Sequence, residues 1–313
     1  TIVDAQNLCR CLVIHHASDV VEGFTFTRGY APEAWGAGVH FSALGGTLRN
    51  CRVTGCTGDN GIGVHFSQAG GLVEGCLIDN NIRIMGGMDS YGAGVYFTSF
   101  GAEVRNCIIT DNLANFGGAV YMPHGGSVAN SVLARNYASQ GGGAYCNWHQ
   151  SFFYNCTIVG NSAIYGGGFL SSYGGTLESC ILYHNTASLS GPNFYQMGGS
   201  SGFACYNSCC AQTPPGSGNI TANPLLKNLG GGDYHLSPIR LASTPDWSTG
   251  GRSTSTAIRG WPKAWWTWAP TSGRAATTSR RPARTASRMP PGTPPPPISR
   301  RRWTKPMPAR RCW

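Results

Sequence analysis

The chain has no apolar run that approaches the length of a membrane span, so no transmembrane helix is expected. Its 45 glycines follow no strict three-residue period, which excludes collagen and leaves tight turns as their use. No Walker loop occurs, and the many glycine pairs form no dinucleotide fingerprint, so nucleotide chemistry has no foothold. No Ser or Cys near a His is placed as a nucleophile elbow. Among 13 cysteines no CxxC pair recurs with a second one at finger spacing, which argues against zinc. No signal peptide is visible and the chain opens without Met on TIVDAQN, already strand-like. The expectation is a fragment whose export signal lies upstream.

What the chain does have is a repeat. A glycine-rich opening recurs at Gly36, Gly61, Gly92, Gly117, Gly141, Gly166 and Gly191, about 25 residues apart except for one longer interval from Gly61 to Gly92. Cys51, Cys76, Cys107, Ser131, Cys156, Cys180 and Cys205 keep the same spacing, as do Asn81, Asn112, Asn136, Asn161 and Asn185. Within a copy the pattern has period two: Val95 and Phe97 alternate with Tyr96, and Cys107 and Ile109 with Ile108. The residue before the cysteine position is Asn50, Gly75, Asn106, Asn130, Asn155 or Ser179, mostly types that tolerate positive φ at a sharp bend. Each copy therefore reads as strand, bend, strand, turn. Stacked in register, such coils form an all-β parallel β-helix, a solenoid with neighbouring strands about 4.8 Å apart.

A lone coil could not fold. The side chains it turns inward (Val95, Phe97, Val104, Cys107, Ile109, Ala114) cannot offset the entropy of ordering its backbone, so neighbours must complete the ladders and bury both ends. The asparagines are expected to stack along the axis and hydrogen-bond from coil to coil. The column cysteines point the same way from equivalent strands, too far apart at Cβ for disulfides, and read as small buried residues. Cys9 with Cys11, and Cys209 with Cys210, lie off the column and are open to pairing. The insertion Ile82 to Tyr91 should bulge from the cylinder, and loops on rigid scaffolds are where sites tend to sit.

The stretch CYNSCCAQTPPGSGNITANPLLKNLGGGDYHLSP, with TIVDAQN near the start and the GGGxY and NCxI repeats between, resembles bacterial surface and secreted right-handed β-helix proteins that end in a cell-envelope anchoring region. The resemblance covers residues 1 to 238 and is most specific over Gly218 to Pro238, where Asn223 stands in place of the usual acid. More loosely, the repeats are similar to those of polymorphic outer-membrane adhesins. The resemblance implies the right-handed form of the fold and an exported, secreted or cell-surface protein; it fixes no activity.

Composition changes at Pro238. Residues 1–238 carry 8 Lys+Arg and 12 Asp+Glu; residues 239–313 carry 15 and 1, and hold seven of the nine Trp. The family would continue with IDAG, DLDGNPR and VDMGAYE. Codons can be chosen for Ser243 to Pro270 so that another frame encodes DAG and then DLDGNPRMAEGVVDMGAYE. The expectation is a frameshift near Ile239 and a basic, Pro/Arg-rich tail with no packed core, which a single intact frame in the coding DNA of independent isolates would refute. The sequence pI of 9.1 then reflects the tail, and no nucleic-acid partner is inferred from it.

Two candidate sites emerge. His40, His65, Tyr96, Tyr121, Tyr145, Leu170 and Tyr195 form an outward column at one-coil intervals, whose aromatic members suggest a platform on which sugar rings stack. Around the insertion, Asp59, Asp79, Asp89 and Asp111 fall on neighbouring coils with Arg83 in the loop, the residue types that polysaccharide-cleaving β-helices use as acid, base or calcium ligands. Asp79 and Asp111 sit one position apart within their coils, and no lyase, hydrolase or esterase motif is matched. The reading is a monomeric binding or adhesion module for a polysaccharide or cell-surface glycan, without cofactor. A lyase or hydrolase of acidic polysaccharide, calcium-assisted if a lyase, and a plain structural stalk are the alternatives.

Overall fold

The computed structural model describes residues 1–237 apart from 43–44, 69, 85–88, 149 and 198–201. The expectations for 239–313 concern residues outside this set. Short strands stack into three long parallel sheets. Sheet A has nine strands, from Ile2–Asp4 to Cys209–Cys210; sheet B has eight, from Leu12–Ile14 to Phe194–Gln196; sheet C has eight, from Val20–Glu22 to Phe203–Tyr206. A fourth, interrupted sheet D comprises Tyr30–Trp35, Thr57–Asn60 and Ile82–Arg83, then Tyr137–Gln140, Ser162–Tyr165 and Thr186–Ser190, joined by single bridges through Leu113 and Phe116. One coil thus runs B, C, A, D, and contains no α-helix among the described residues. The sequence pattern of two strands per coil is too coarse. The turn after Phe97 separates sheet B from sheet C, and a second left-handed residue (Arg28, Gly55, Asn80, Asp111, Arg135, Gly160 or His184) leads from the inner sheet A strands into sheet D.

Those bends explain the punctuation. Asn50, Asn106, Asn130, Asn155 and Ser179 have φ of 50°, 55°, 48°, 51° and 55°, and Gly75 has 64°, so the residue before the cysteine position is indeed the left-handed corner between sheets C and A. The six inward side chains of the coil around Phe97 are each at most 1% exposed. Inside, Phe41, Phe66 and Phe97 stack at 4.6 and 5.1 Å.

The two polar columns do the same physical task by different chemistry. Asn112 Oδ1 accepts from the backbone N–H of Asn81 at 3.1 Å and from its Nδ2 at 3.0 Å, while Asn112 Nδ2 donates to the Ile78 carbonyl at 3.0 Å. The pattern repeats through Asn136, Asn161 and Asn185 and ends on Asn193. In the cysteine column, Cys51 N donates to Cys76 Sγ at 3.4 Å, Cys76 N to Cys107 Sγ at 3.4 Å and Cys107 N to Ser131 Oγ at 3.1 Å. The column residue is therefore an acceptor for an N–H that the bend has removed from the sheet ladder, which is why serine substitutes for cysteine. Its cysteines are free thiols, as are Cys11, Cys209 and Cys210. One position needs correction. Cys205 lies opposite Leu177, and Ser208 takes the column position, accepting from Cys180 N at 2.9 Å. More residues separate Gln196 from Phe203 than separate their counterparts Ser171 and Gly175, so counting in steps of one period slips there.

The long interval is absorbed locally. Ile82 pairs with Thr57 and Tyr91 with Asn60, so the three steps between Thr57 and Asn60 become nine and register resumes at once. Residues 85–88 of the insertion lie outside the described set. At the other end, Leu226–Asn228 and Asp233–Leu236 form an antiparallel hairpin. Its Leu226 and Tyr234, with Leu229 between, cover Ala134, Val159, Ile181 and Cys209 on the outer side of sheet A. The GDYHL segment singled out in the sequence thus serves here as the cover of an apolar outer face.

Candidate functional site

The glycine openings lie at the corner where sheet D passes into sheet B. Gly36, Gly61, Gly92, Gly117, Gly141, Gly166 and Gly191 all have φ between 55° and 70°. A Cβ on Gly117 would sit 2.3 Å from the Val120 carbonyl oxygen and 2.9 Å from Tyr121 Cβ. The chain is therefore folded tightly at this corner, and aromatic side chains from the two flanking strands meet beside the glycines.

One wall is the column expected from the sequence. His40 pairs in register with His65, and the series continues through Tyr96, Tyr121, Tyr145, Leu170 and Tyr195. The other wall is a row that the sequence reading missed: Trp35, Tyr91, Phe116 and Tyr165, each immediately before a glycine opening. An aromatic–Gly dipeptide at four of the seven glycine openings was the available signal. The two rows interlock. Trp35 meets His65 at 4.8 Å, Tyr91 meets Tyr121 at 5.0 Å, Phe116 meets Tyr145 at 5.9 Å and Tyr165 meets Tyr195 at 5.6 Å between centroids.

That second row changes which rings face outward. His65 and Leu170 are 0% exposed, Tyr121 6% and Tyr145 8%, so these four form a covered layer instead of an open platform. Tyr91, Tyr96, Phe116, Tyr165 and Tyr195 are half-buried, and Trp35 is 43% exposed. The covered tips are satisfied from the following coil: His65 Nε2 with Thr98 Oγ1 at 2.7 Å, Tyr121 OH accepting from Asn147 Nδ2 at 3.2 Å, and Tyr145 OH with Ser172 Oγ at 2.8 Å. Burial pushes the Tyr121 phenol well above its ordinary range. Burial first, then the neighbouring Arg10 charge, lowers His40 to about 4. Burial, His40 and Arg10 lower His65 to about 3, so this histidine pair is neutral near pH 7. Its Nδ1 atoms are 3.0 Å apart, one donating to the other.

The carboxylates are placed differently. Asp79 is buried and held by Arg52 through two hydrogen bonds of 2.9 and 2.7 Å, with Asn80 Nδ2 donating at 2.6 Å. Asp111 is gripped the same way by Arg135 at 2.9 and 2.7 Å, and Arg135 also donates to Tyr234 OH. Each of the two therefore belongs to its own arginine on an adjacent coil. Asp59 is buried on the Thr57–Asn60 strand, Arg83 ends the Ile82–Arg83 strand, and Asp89 is exposed within the insertion. No ion pair among the described residues joins Arg83 to any of these acids, and no three His, Cys, Asp or Glu side chains among them come together as a metal site.

A family model described as a right handed beta helix region matches residues 37–234. No curated protein and no solved structure matches the chain.

Proposed function

The chain belongs to the right handed beta helix family, and on that scaffold we propose that it is an exported module that binds a polysaccharide or cell-surface glycan along the aromatic corner. The observation that carries this is the set of half-exposed rings Trp35, Tyr91, Tyr96, Phe116, Tyr165 and Tyr195 along one corner of the solenoid, interrupted only at the coils of His65 and Tyr145. Sugar rings present apolar faces bordered by hydroxyls, and half-buried Tyr and Trp offer a matching apolar face with a polar edge. The covered layer of His65, Tyr121, Tyr145 and Leu170 fixes the outer rings in place, so little rotamer entropy is lost when a ligand settles on them. Binding is favoured over cleavage because Asp79 and Asp111 spend their carboxylates on Arg52 and Arg135.

Retention on immobilised polysaccharides tests the proposal. With Tyr96 and Phe116 both changed to Ala, affinity for the retained polymer should fall by at least roughly tenfold, the equivalent of about 1.4 kcal/mol. Tyr137→Ala, which removes a ring 45% exposed away from the corner, should leave it unchanged. Equal retention of both variants would defeat the corner as the site. Release of new reducing ends that stops in Asp79→Ala would replace binding by catalysis.

A further inference from the structure

The corner has an end of different character. Arg10, Ala34, Trp35, His40 and Ser67 line an open depression of about 390 Å3, at the lower limit of small-molecule sites. Arg10 is half-buried there. Its Nε donates to the Gly36 carbonyl at 2.7 Å and its Nη2 to the Trp35 carbonyl at 2.5 Å. Arg28, Arg49, Arg52, Arg105 and Arg135 each pair with a carboxylate, whereas Arg10 and Arg83 pair with none among the described residues, and of these two Arg10 lines the depression. A partly desolvated guanidinium without a counter-charge attracts an anion.

The pattern of the other coils shows what is left open. The tips of His65, Tyr121 and Tyr145 each bond the polar side chain two places past the column position on the next coil, namely Thr98, Asn147 and Ser172. For His40 the corresponding partner is Ser67, and no hydrogen bond joins them. His40 instead turns Nδ1 to His65. His40, with its Nε2 not engaged by Ser67, therefore lines the depression together with Ser67, Arg10 and an indole that is 43% exposed.

We infer that this depression is an end pocket for a sugar residue bearing an anionic group, with Arg10 on the anion, His40 and Ser67 on hydroxyls, and Trp35 on the ring face. The inference rests on the glycan reading of the corner and adds a charge preference to it. Calorimetry of the full chain with a short oligogalacturonate, its neutral methyl ester and a sulfated oligosaccharide of equal length tests it. The acidic ligands should bind at least tenfold tighter than the ester at low salt, with the gap closing as salt rises. Whichever acid shows the larger gap identifies carboxylate or sulfate as the anion. Arg10→Gln should erase the gap and spare the ester. Because Arg10 also supports the backbone at Trp35 and Gly36, Ser67→Ala provides a second test that leaves those bonds in place, and it should weaken acid and ester alike, severalfold. Equal binding of acid and ester by the unchanged protein, a gap that survives Arg10→Gln, or unchanged affinities in Ser67→Ala overturns the pocket and leaves the corner reading standing. Binding of none of the ligands removes both. Acid binding that persists after Tyr96 and Phe116 become Ala removes the corner and keeps the pocket.

Discussion

Asn136→Ala is expected to cost on the order of 4 kcal/mol, a large share of the stability of a domain of this kind. The side chain is 1% exposed and stands in the middle of the amide column. Its loss strands the Asn112 backbone N–H and Asn112 Nδ2, which both donate to Asn136 Oδ1, at 3.1 and 3.0 Å. It also removes the donor to the carbonyls of Ile109 and Ala134 and to Asn161 Oδ1. Each buried group left unpaired costs about 1–3 kcal/mol, and no water replaces the amide inside a close-packed coil. Asn136→Asp separates hydrogen bonding from volume. The carboxylate keeps the size and the acceptor but loses the donor and buries a charge, so it should be at least as damaging at neutral pH. Cys107→Ser, by contrast, should be nearly neutral, because Ser131 already performs that acceptor role one coil away. Denaturant midpoints give the magnitudes, and hydrogen exchange at the Asn112 amide shows whether the loss is local to the column. A loss below about 1 kcal/mol in Asn136→Ala would mean that the ladder adds nothing beyond the sheets.

The same columns mark what could be read from the sequence and what could not. Period and alternation were sufficient for the parallel solenoid, for the inward set around Phe97, for the left-handed residue at Asn106 and for the amide ladder, because all of these repeat every coil and involve residues on one strand or its direct neighbour. Position counting failed at Cys205, where a longer turn shifts the phase and puts Ser208 in the column. The outward column was legible as a register but not as a surface. Whether Tyr121 and Tyr145 are open depends on Phe116 and Tyr91, which reach over from a different sheet. The acids show the same limit. Asp79 and Asp111 look available in sequence, and only the stacking of coils brings Arg52 and Arg135 opposite them. Arg10 was invisible for the converse reason, since the lack of a carboxylate partner is a property of the stack.

Gly117→Ala should be as damaging as losing an amide rung, about 3–5 kcal/mol, and should also abolish glycan retention. Alanine at φ of 64° costs roughly 1–2 kcal/mol in any surroundings. At this site its methyl would also lie 2.3 Å from the Val120 carbonyl oxygen, a backbone atom fixed in sheet B that cannot step aside. Gly23→Ala isolates the two contributions: it has φ of 77° but nothing within 4 Å of the added Cβ, so it should show the backbone cost alone. The difference between the two variants then measures how tightly the corner is folded. If they are equally stable, the corner is soft and the convergence of the aromatic rows must have another cause. If Gly117→Ala loses the larger amount, the near-ultraviolet circular dichroism of the ring cluster should fall with it. Tyr91 and Phe116 meet Tyr121 and Tyr145 across the corner that these glycines form. On that outcome the glycine period, the first feature to stand out in the sequence, sets the shape of the proposed binding surface as well as the turn of the coil.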